Sequence, residues 1–179
     1  MLAFAGFNFK ENDMRFTYCP DCGKKLIKKE IGDEGMIPYC EGCKRPLFDM
    51  FSTCVIVLVS DGKDKVVLLR QNYISRDYYN LVSGYIKPKE TAEECARREV
   101  EEEIGLKVDE LKFVGTQWFD KKDMLMIAFI ATTNDREIKL SKEVDGAFWE
   151  DAKTALGKVH PNGSTSYFLV SEFLKSKKN

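Results

Sequence analysis

Two sets of residues in this chain have types and spacing suited to metal chemistry. The first is Glu99, Glu102 and Glu103. At 3.6 residues per turn these fall at i, i+3 and i+4 on one helical face, with Glu101 directed away towards solvent. Three carboxylates crowded together are unfavourable unless a cation sits among them; a solvated acidic face with Lys or Arg partners is the other reading of such a helix. The second set is Cys19-Pro-Asp-Cys22 and Cys40-Glu-Gly-Cys43, two C-x-x-C knuckles with 17 residues between them. That spacing suits a four-cysteine zinc site, in which each tight turn presents two thiolates. A pair of disulfides is the alternative, and the lack of a secretory signal argues for a reducing compartment instead. Other chemistries have less to work with. The one histidine, His160, lies in a Pro/Asn/Gly loop, which excludes a zinc–imidazole cluster and argues against a Ser-His-Asp triad. No Gly-x-x-x-x-Gly-Lys-Ser/Thr loop is present.

These residues need elements to hold them. Thr91 followed by Glu94 is a capping box that predicts a helix start, and Gly105 is suited to its left-handed stop. Ala92, Ala96, Val100 and Ile104 form the apolar stripe that would pin this helix to a core. Between the knuckles, Lys24–Pro38 reads as a hairpin, with Gly32 and Gly35 at its turn. The apolar, β-branched run Phe51–Ser60 and Lys65–Gln71, joined through Asp61-Gly62, predict a second hairpin. A loop over 72–80 carrying Tyr73, Tyr78 and Tyr79 leads to a short strand at Asn80–Ile86. Strands follow at Glu110–Phe119, Met124–Thr132 and Ala147–Trp149, then helices at Glu150–Leu156 and Thr165–Lys175. This order predicts an α+β domain. Cys54 and Cys95 read as buried small hydrophobes.

Composition narrows the partners. The chain has 179 residues and a net charge of −1, with 44% hydrophobic residues. It is long enough for one ordinary domain and a small appendage, and no overall field draws it to nucleic acid or to an anionic membrane. Within residues 16–50, Lys24, Lys25, Lys28, Lys29, Lys44 and Arg45 are balanced by Asp21, Glu30, Asp33, Glu34, Glu41 and Asp49. A phosphate-tracking surface needs a net basic face, so no nucleic-acid partner is expected. Met1–Phe9 is apolar but short, and no stretch approaches a membrane span. Phe7 and Phe9 fit a short strand or a loose arm. A cytoplasmic location is expected, and the expected divisions are an arm at 1–15, a zinc ribbon at 16–48 and a second domain at 49–179.

Gly84, Glu90, Arg98, Glu99, Val100, Glu102, Glu103, Gly105 and Leu106 fit, position for position, the box that defines the Nudix hydrolases. The resemblance implies a Nudix α/β/α sandwich with a mixed sheet, preceded by the small zinc ribbon. It also implies divalent-metal-dependent hydrolysis of a pyrophosphate bond in a nucleoside diphosphate linked to another moiety. Glu99, Glu102, Glu103 and the carbonyl of Gly84 would hold Mg²⁺ or Mn²⁺. Glu90 and Arg98 would pair to fix the loop against the helix, and Glu99 is the first choice of general base. Glu143 resembles the acidic residue that precedes the last strand in several Nudix enzymes and reaches the metals; a surface glutamate beside Lys142 is its other reading. A four-cysteine ribbon ahead of such a domain resembles the NADH pyrophosphatases, which also remove NAD caps from RNA. Their Ser-Gln-Pro-Trp-Pro-Phe-Pro array is replaced here by Gly115-Thr-Gln-Trp-Phe-Asp-Lys-Lys-Asp123, which keeps Gln117 and Trp118 without the prolines. The resemblance thus carries the fold and the reaction type but not the NADH specificity. Trp118 and Gln117, Tyr85 in the box loop, and Tyr73, Tyr78 and Tyr79 before it are candidate nucleotide contacts, and NADH or an ADP-ribose-like dinucleotide is the leading substrate. The aromatics serve equally well to pack a domain edge or a homodimer interface. A nucleoside triphosphate or sugar-nucleotide hydrolase, a nucleotide-sensing domain without catalysis, and an RNA-binding or RNA-decapping protein, which the neutral ribbon does not encourage, are the rival readings.

Overall fold

A computed structural model describes residues 16–177. The arm at 1–15, with Phe7 and Phe9, lies outside the described residues. The chain forms two compact units, Met1–Met50 and Phe51–Asn179.

In the first unit, β1 (Ile27–Glu30), β2 (Met36–Cys40) and β3 (Arg45–Pro46) make a small antiparallel sheet in that order. A turn of 3-10 helix at Gly32–Glu34 joins β1 to β2. Among the described residues the core is small: Cys19, Leu26, Cys40 and Leu47 are buried, and Phe16 and Cys43 pack against them. A core of this size contributes little against the entropy of ordering the stretch, and small domains of this kind commonly draw on a metal.

The second unit is built on β4 (Ser52–Ser60), β5 (Lys65–Arg70), β6 (Val82–Tyr85), β7 (Glu110–Phe119), β8 (Met124–Thr132) and β9 (Gly146–Asp151). The strand order is β7-β8-β4-β5-β9, with β6 also paired to β4. β4 and β8 run parallel over nine partner pairs, while the other pairings are antiparallel. β4 is nearly all apolar because both its faces are covered. Its residues alternate between two cores. Cys54, Ile56 and Leu58 face α2 (Ala152–Leu156) and α3 (Thr165–Ser176), while Val55, Val57 and Val59 face α1 (Ala92–Ile104). Each fully buried valine or leucine stabilises this sandwich by roughly 1.5–3 kcal/mol. The three layers and mixed sheet are those the resemblance implied.

One boundary differs from the sequence reading. Glu150 and Asp151 complete β9 instead of opening a helix, and α2 begins at Ala152. The Asp151 carboxylate accepts from the backbone N–H groups of Lys153 (3.0 Å) and Thr154 (3.3 Å). An aspartate satisfies more donors as an N-cap than inside the helix, and Glu150 is held in the strand by its ion pair with Lys158.

Candidate functional site

α1 begins with a complete capping box. Thr91 Oγ1 accepts from Glu94 N at 3.2 Å, and Glu94 Oε2 accepts from Thr91 N at 2.8 Å. It ends at Gly105, whose φ of +68° lets its N–H return to Glu101 O at 3.0 Å. Between these caps Ala96, Val100 and Ile104 are buried against the sheet. That fixes the rotation of the helix and carries the acidic face to the edge of the core.

The three box glutamates are not equivalent. Glu103 is buried, only 5% exposed, Glu99 is half-buried, and Glu102 is exposed. All three line one cleft of about 190 Å³, which Ser141, Lys142 and Glu143 close from the loop before β9. The tertiary structure thus brings Glu143 to the box glutamates across 40 residues of chain. Glu101 is exposed and does not line this cleft.

Arg98 organises the site from behind. Its Nε donates to Glu90 Oε1 (2.6 Å) and its Nη2 to Glu90 Oε2 (2.9 Å), a two-point pair that ties the box loop to the helix. Its Nη1 donates to Glu99 Oε1 (2.6 Å) and to Glu102 Oε2 (2.9 Å), and Nη2 also reaches the carbonyl of Tyr85 (3.2 Å). The Glu90 carboxyl is held down to about 2, chiefly by this guanidinium. Gly84 lies against Glu99 so closely that a Cβ built there would overlap the Glu99 carboxyl group. Only a glycine leaves Glu99 where it is.

Burial pushes the Glu103 carboxyl up to about 8, with the charge of Glu99 adding to the effect and hydrogen bonding from the Gln71 amide and the Ser83 backbone opposing it. Burial likewise raises Glu99, against the pull of Arg98. Glu103 Oε2 has no hydrogen-bond partner among the described residues. A buried anionic oxygen without a donor is costly, and a cation removes that cost. The donor set is all oxygen, as a hard divalent ion requires, and Mg²⁺ keeps several waters that bridge carboxylates standing apart. Among the described residues only the four cysteines form a group of three or more whose ligand atoms all lie within 4.8 Å of one another, so the glutamates are spread more widely as a set.

That cysteine cluster is Cys19, Cys22, Cys40 and Cys43 of the first unit. Sγ–Sγ distances are 3.8 Å between Cys19 and Cys43 and 3.5 Å between Cys22 and Cys40. A tetrahedron with Zn–S bonds of about 2.3 Å has edges of about 3.8 Å, so four thiolates at these separations fit a zinc ion. No disulfide joins them. Cys40 is lowered to about 7, first by the backbone N–H of Cys43, which lies 3.3 Å from its sulfur. Cys43 is pushed up to about 12, first by its hydrogen bonding to Cys22. Four thiols this close cannot all ionise without a cation to hold them.

Of the candidate nucleotide contacts, Gln117, Trp118 and Tyr85 do not converge. Gln117 pairs with Met126 on the face covered by α3, and it lines a separate cleft of about 380 Å³ with Asn162, Ser164 and Tyr167. Trp118, one residue on, points to the opposite face, where its ring meets Phe51 edge-on at 5.3 Å and stays 45% exposed. Two neighbours read together in the sequence therefore cannot contact one face of a ligand. Tyr85 is 55% exposed and is joined to the box through its carbonyl. The sequence reading did not single out Gln71, whose Nε2 donates to Glu103 Oε1 at 3.3 Å. A buried glutamine closing an otherwise apolar strand is the trace it leaves in the sequence. Ser141 left none.

No described helix is long and apolar enough to cross a membrane. Proteins of known character match both units of the chain. NAD-capped RNA hydrolase NudC of Photobacterium profundum is 28% identical over 159 residues, covering 88% of this chain and 58% of that protein. NudC of Pseudomonas fluorescens is 31% identical over 158 residues, covering 88% and 55%. The human NAD-capped RNA hydrolase NUDT12 is 30% identical over 163 residues, covering 87% and 35%. The chain thus spans little more than half the length of its bacterial relatives. Among solved structures, a NUDIX hydrolase from Nitrosomonas europaea shares the fold with a TM-score of 0.70 at 17% identity, covering 91% of this chain and 93% of that one. An Ap4A hydrolase from C. elegans does so at 0.59 and 18%, covering 71% and 98%. The NUDIX domain family matches residues 50–169, two thirds of the sequence and every element of the acidic cleft, and the chain belongs to that family.

Proposed function

We propose that this protein is a divalent-metal-dependent pyrophosphohydrolase acting on a nucleoside diphosphate linked to a second moiety, with NAD(H)-like dinucleotides as its substrate class. The observation that carries this reading is the unpartnered, buried Glu103 oxygen in a cleft lined by Glu99, Glu102 and Glu143. Glu99, Glu102, Glu103 and Glu143, with the Gly84 carbonyl, would hold Mg²⁺ or Mn²⁺. Bound there, the ion would neutralise diphosphate oxygens, orient them and acidify a water. The chain's own part is positioning. Glu90 holds Arg98, and Arg98 holds Glu99 by Oε1, leaving Oε2 for the ion and its water. Glu99 is the first choice of general base, in which role Oε2 would take the water's proton while the other glutamates hold the ion.

The relatives named as NAD-capped RNA hydrolases support a dinucleotide substrate. The altered Gly115–Asp123 stretch favours a second reading within the same chemistry, a nucleoside triphosphate or a sugar nucleotide. Tyr85 and Trp118 offer exposed rings to stack a base, whereas Gln117 faces the separate cleft beside α3. Cys19, Cys22, Cys40 and Cys43 would hold Zn²⁺ in a structural role, since four protein ligands leave no open position. Reduced thiols fit a cytoplasmic protein. Turnover of NADH, ADP-ribose, nucleotide sugars, nucleoside triphosphates and an NAD-capped RNA, with Mg²⁺ or Mn²⁺, tests the proposal. Preference for NADH or the capped RNA is the expected result, and no turnover of any of them overturns it.

A further inference from the structure

Three described side chains carry a buried polar atom without a partner: Gln71, Asn80 and Glu103. Two of them touch. Gln71 is only 1% exposed and follows directly on β5. Its carbonyl accepts from the N–H groups of Ile74 (2.9 Å) and Ser75 (3.1 Å), so the turn that leaves the strand fixes its main chain. From there its Nε2 lies 3.3 Å from Glu103 Oε1 and 3.4 Å from the Tyr73 hydroxyl. Its own Oε1 has no partner, an arrangement that weakens the fold relative to an apolar side chain of the same shape. What the amide supplies in exchange is a donor to one oxygen of a buried carboxylate. With Oε1 engaged, the plane of the Glu103 carboxylate is set, and Oε2 is the oxygen left over. A neutral donor is the right chemistry for this task. A lysine or arginine there would neutralise Glu103 and compete with a cation.

We infer that Gln71 is a positioning residue of the acidic cleft, holding Glu103 by Oε1 so that Oε2 is presented to a divalent cation, with Tyr73 steadying the amide from its other side. This rests on the metal reading above. Partners that orient a metal ligand typically change metal affinity by about 10–100-fold when removed.

The test measures Mn²⁺ binding directly, from the electron paramagnetic resonance signal of the free ion, on the full chain with its cysteine cluster loaded with zinc. Gln71→Met keeps the length of the side chain and removes both N–H donors. The Mn²⁺ dissociation constant is expected to rise by about 10–100-fold. At saturating Mn²⁺, kcat is expected to stay within about threefold of the parent, because the lost interaction is one of binding. A mere packing defect would lower kcat and thermal stability without moving the Mn²⁺ midpoint. Glu103→Gln is expected to weaken binding too, and in that background Gln71→Met adds no further loss, since the two act as one unit. Gln71→Asn, which keeps an amide but withdraws it from Glu103, carries the same expectation should the Met variant fold poorly. Unchanged Mn²⁺ affinity in the Gln71 variants beside weakened binding in Glu103→Gln overturns the inference alone, as do additive losses in the double variant. Unchanged affinity in Glu103→Gln overturns the metal reading and this inference with it.

Discussion

The four cysteines and the four glutamates are both candidate metal sites, yet they are built on opposite principles. The cysteine cluster draws its ligands from two turns of four residues each and closes on itself, with sulfurs 3.5 and 3.8 Å apart. The acidic cleft takes two half-turns of α1 and a residue 40 positions later, is backed by β6 and the end of β5, and stays open on one side. One site would add to the small core of its unit; the other is presented by the core around α1. The difference teaches why a closed site reads as structure and an open one as chemistry: four protein ligands leave nowhere for a substrate, whereas carboxylates standing apart leave room for water and phosphate.

The comparison breaks most sharply on metal removal. Stripping zinc with a chelator is expected to unfold the first unit, because a metal site added to so small a core contributes folding free energy directly. Amide hydrogen exchange should show β1 and β2 losing all protection while β4 and β8 keep theirs. Loss of protection in β4 and β8 as well would mean that the larger unit leans on the zinc.

Next in size is the effect of charge on the helix face. Glu102→Gln is expected to reduce kcat/KM by about 10³-fold, equivalent to about 4 kcal/mol of transition-state stabilisation, while Glu101→Gln, one residue away on the exposed face, stays within about twofold. Steady-state kinetics on the preferred substrate decides this, and equal effects would sink the assignment of the face.

A third expectation concerns pH in the metal-free protein. Glu103 is raised to about 8 when folded and titrates near 4.3 in an unfolded chain. The folded state therefore binds the proton more tightly, and stability contributed by the neutral form is complete below about 4.3 and lost as pH rises to about 8. Thermal melts of the metal-free chain should show the midpoint falling between pH 5 and 8, with Glu103→Gln flattening that slope. Mn²⁺ should reverse it, because a bound cation favours the carboxylate. Glu90 works in the other sense. Held to about 2 by Arg98, it contributes stability above the unfolded value that is lost as pH falls towards 2.

The smallest effect sharpens the claim that α1 is a preformed platform. Thr91→Ala removes one half of the capping box and is expected to lower stability by about 1 kcal/mol, read from denaturant midpoints, with kcat little changed because Val100 and Ile104 still anchor the helix.

What the sequence by itself determined is whatever depends on neighbours along the chain. The bounds of α1 follow from Thr91, Glu94 and Gly105. The strands Glu110–Phe119 and Met124–Thr132 follow from their composition and lie where expected. The two knuckles follow from C-x-x-C spacing. Even the unequal exposure of the box glutamates is implicit in a helix whose apolar stripe runs beside Glu103. Tertiary structure alone decided the rest. That Glu143 lines the cleft depends on how β9 pairs with β5; that Gly84 must lack a side chain depends on how closely β6 approaches α1. Gln71 meets Glu103 only because a strand ends beside a helix 32 residues later. The separation of Gln117 from Trp118, by contrast, was already implicit in reading Glu110–Phe119 as a strand, whose neighbours alternate between faces. The physical reason is common to the other three. Helix faces and tight turns are set by local geometry with fixed periods, while the meeting of side chains from different elements is set by register and packing, which no local pattern of residues encodes.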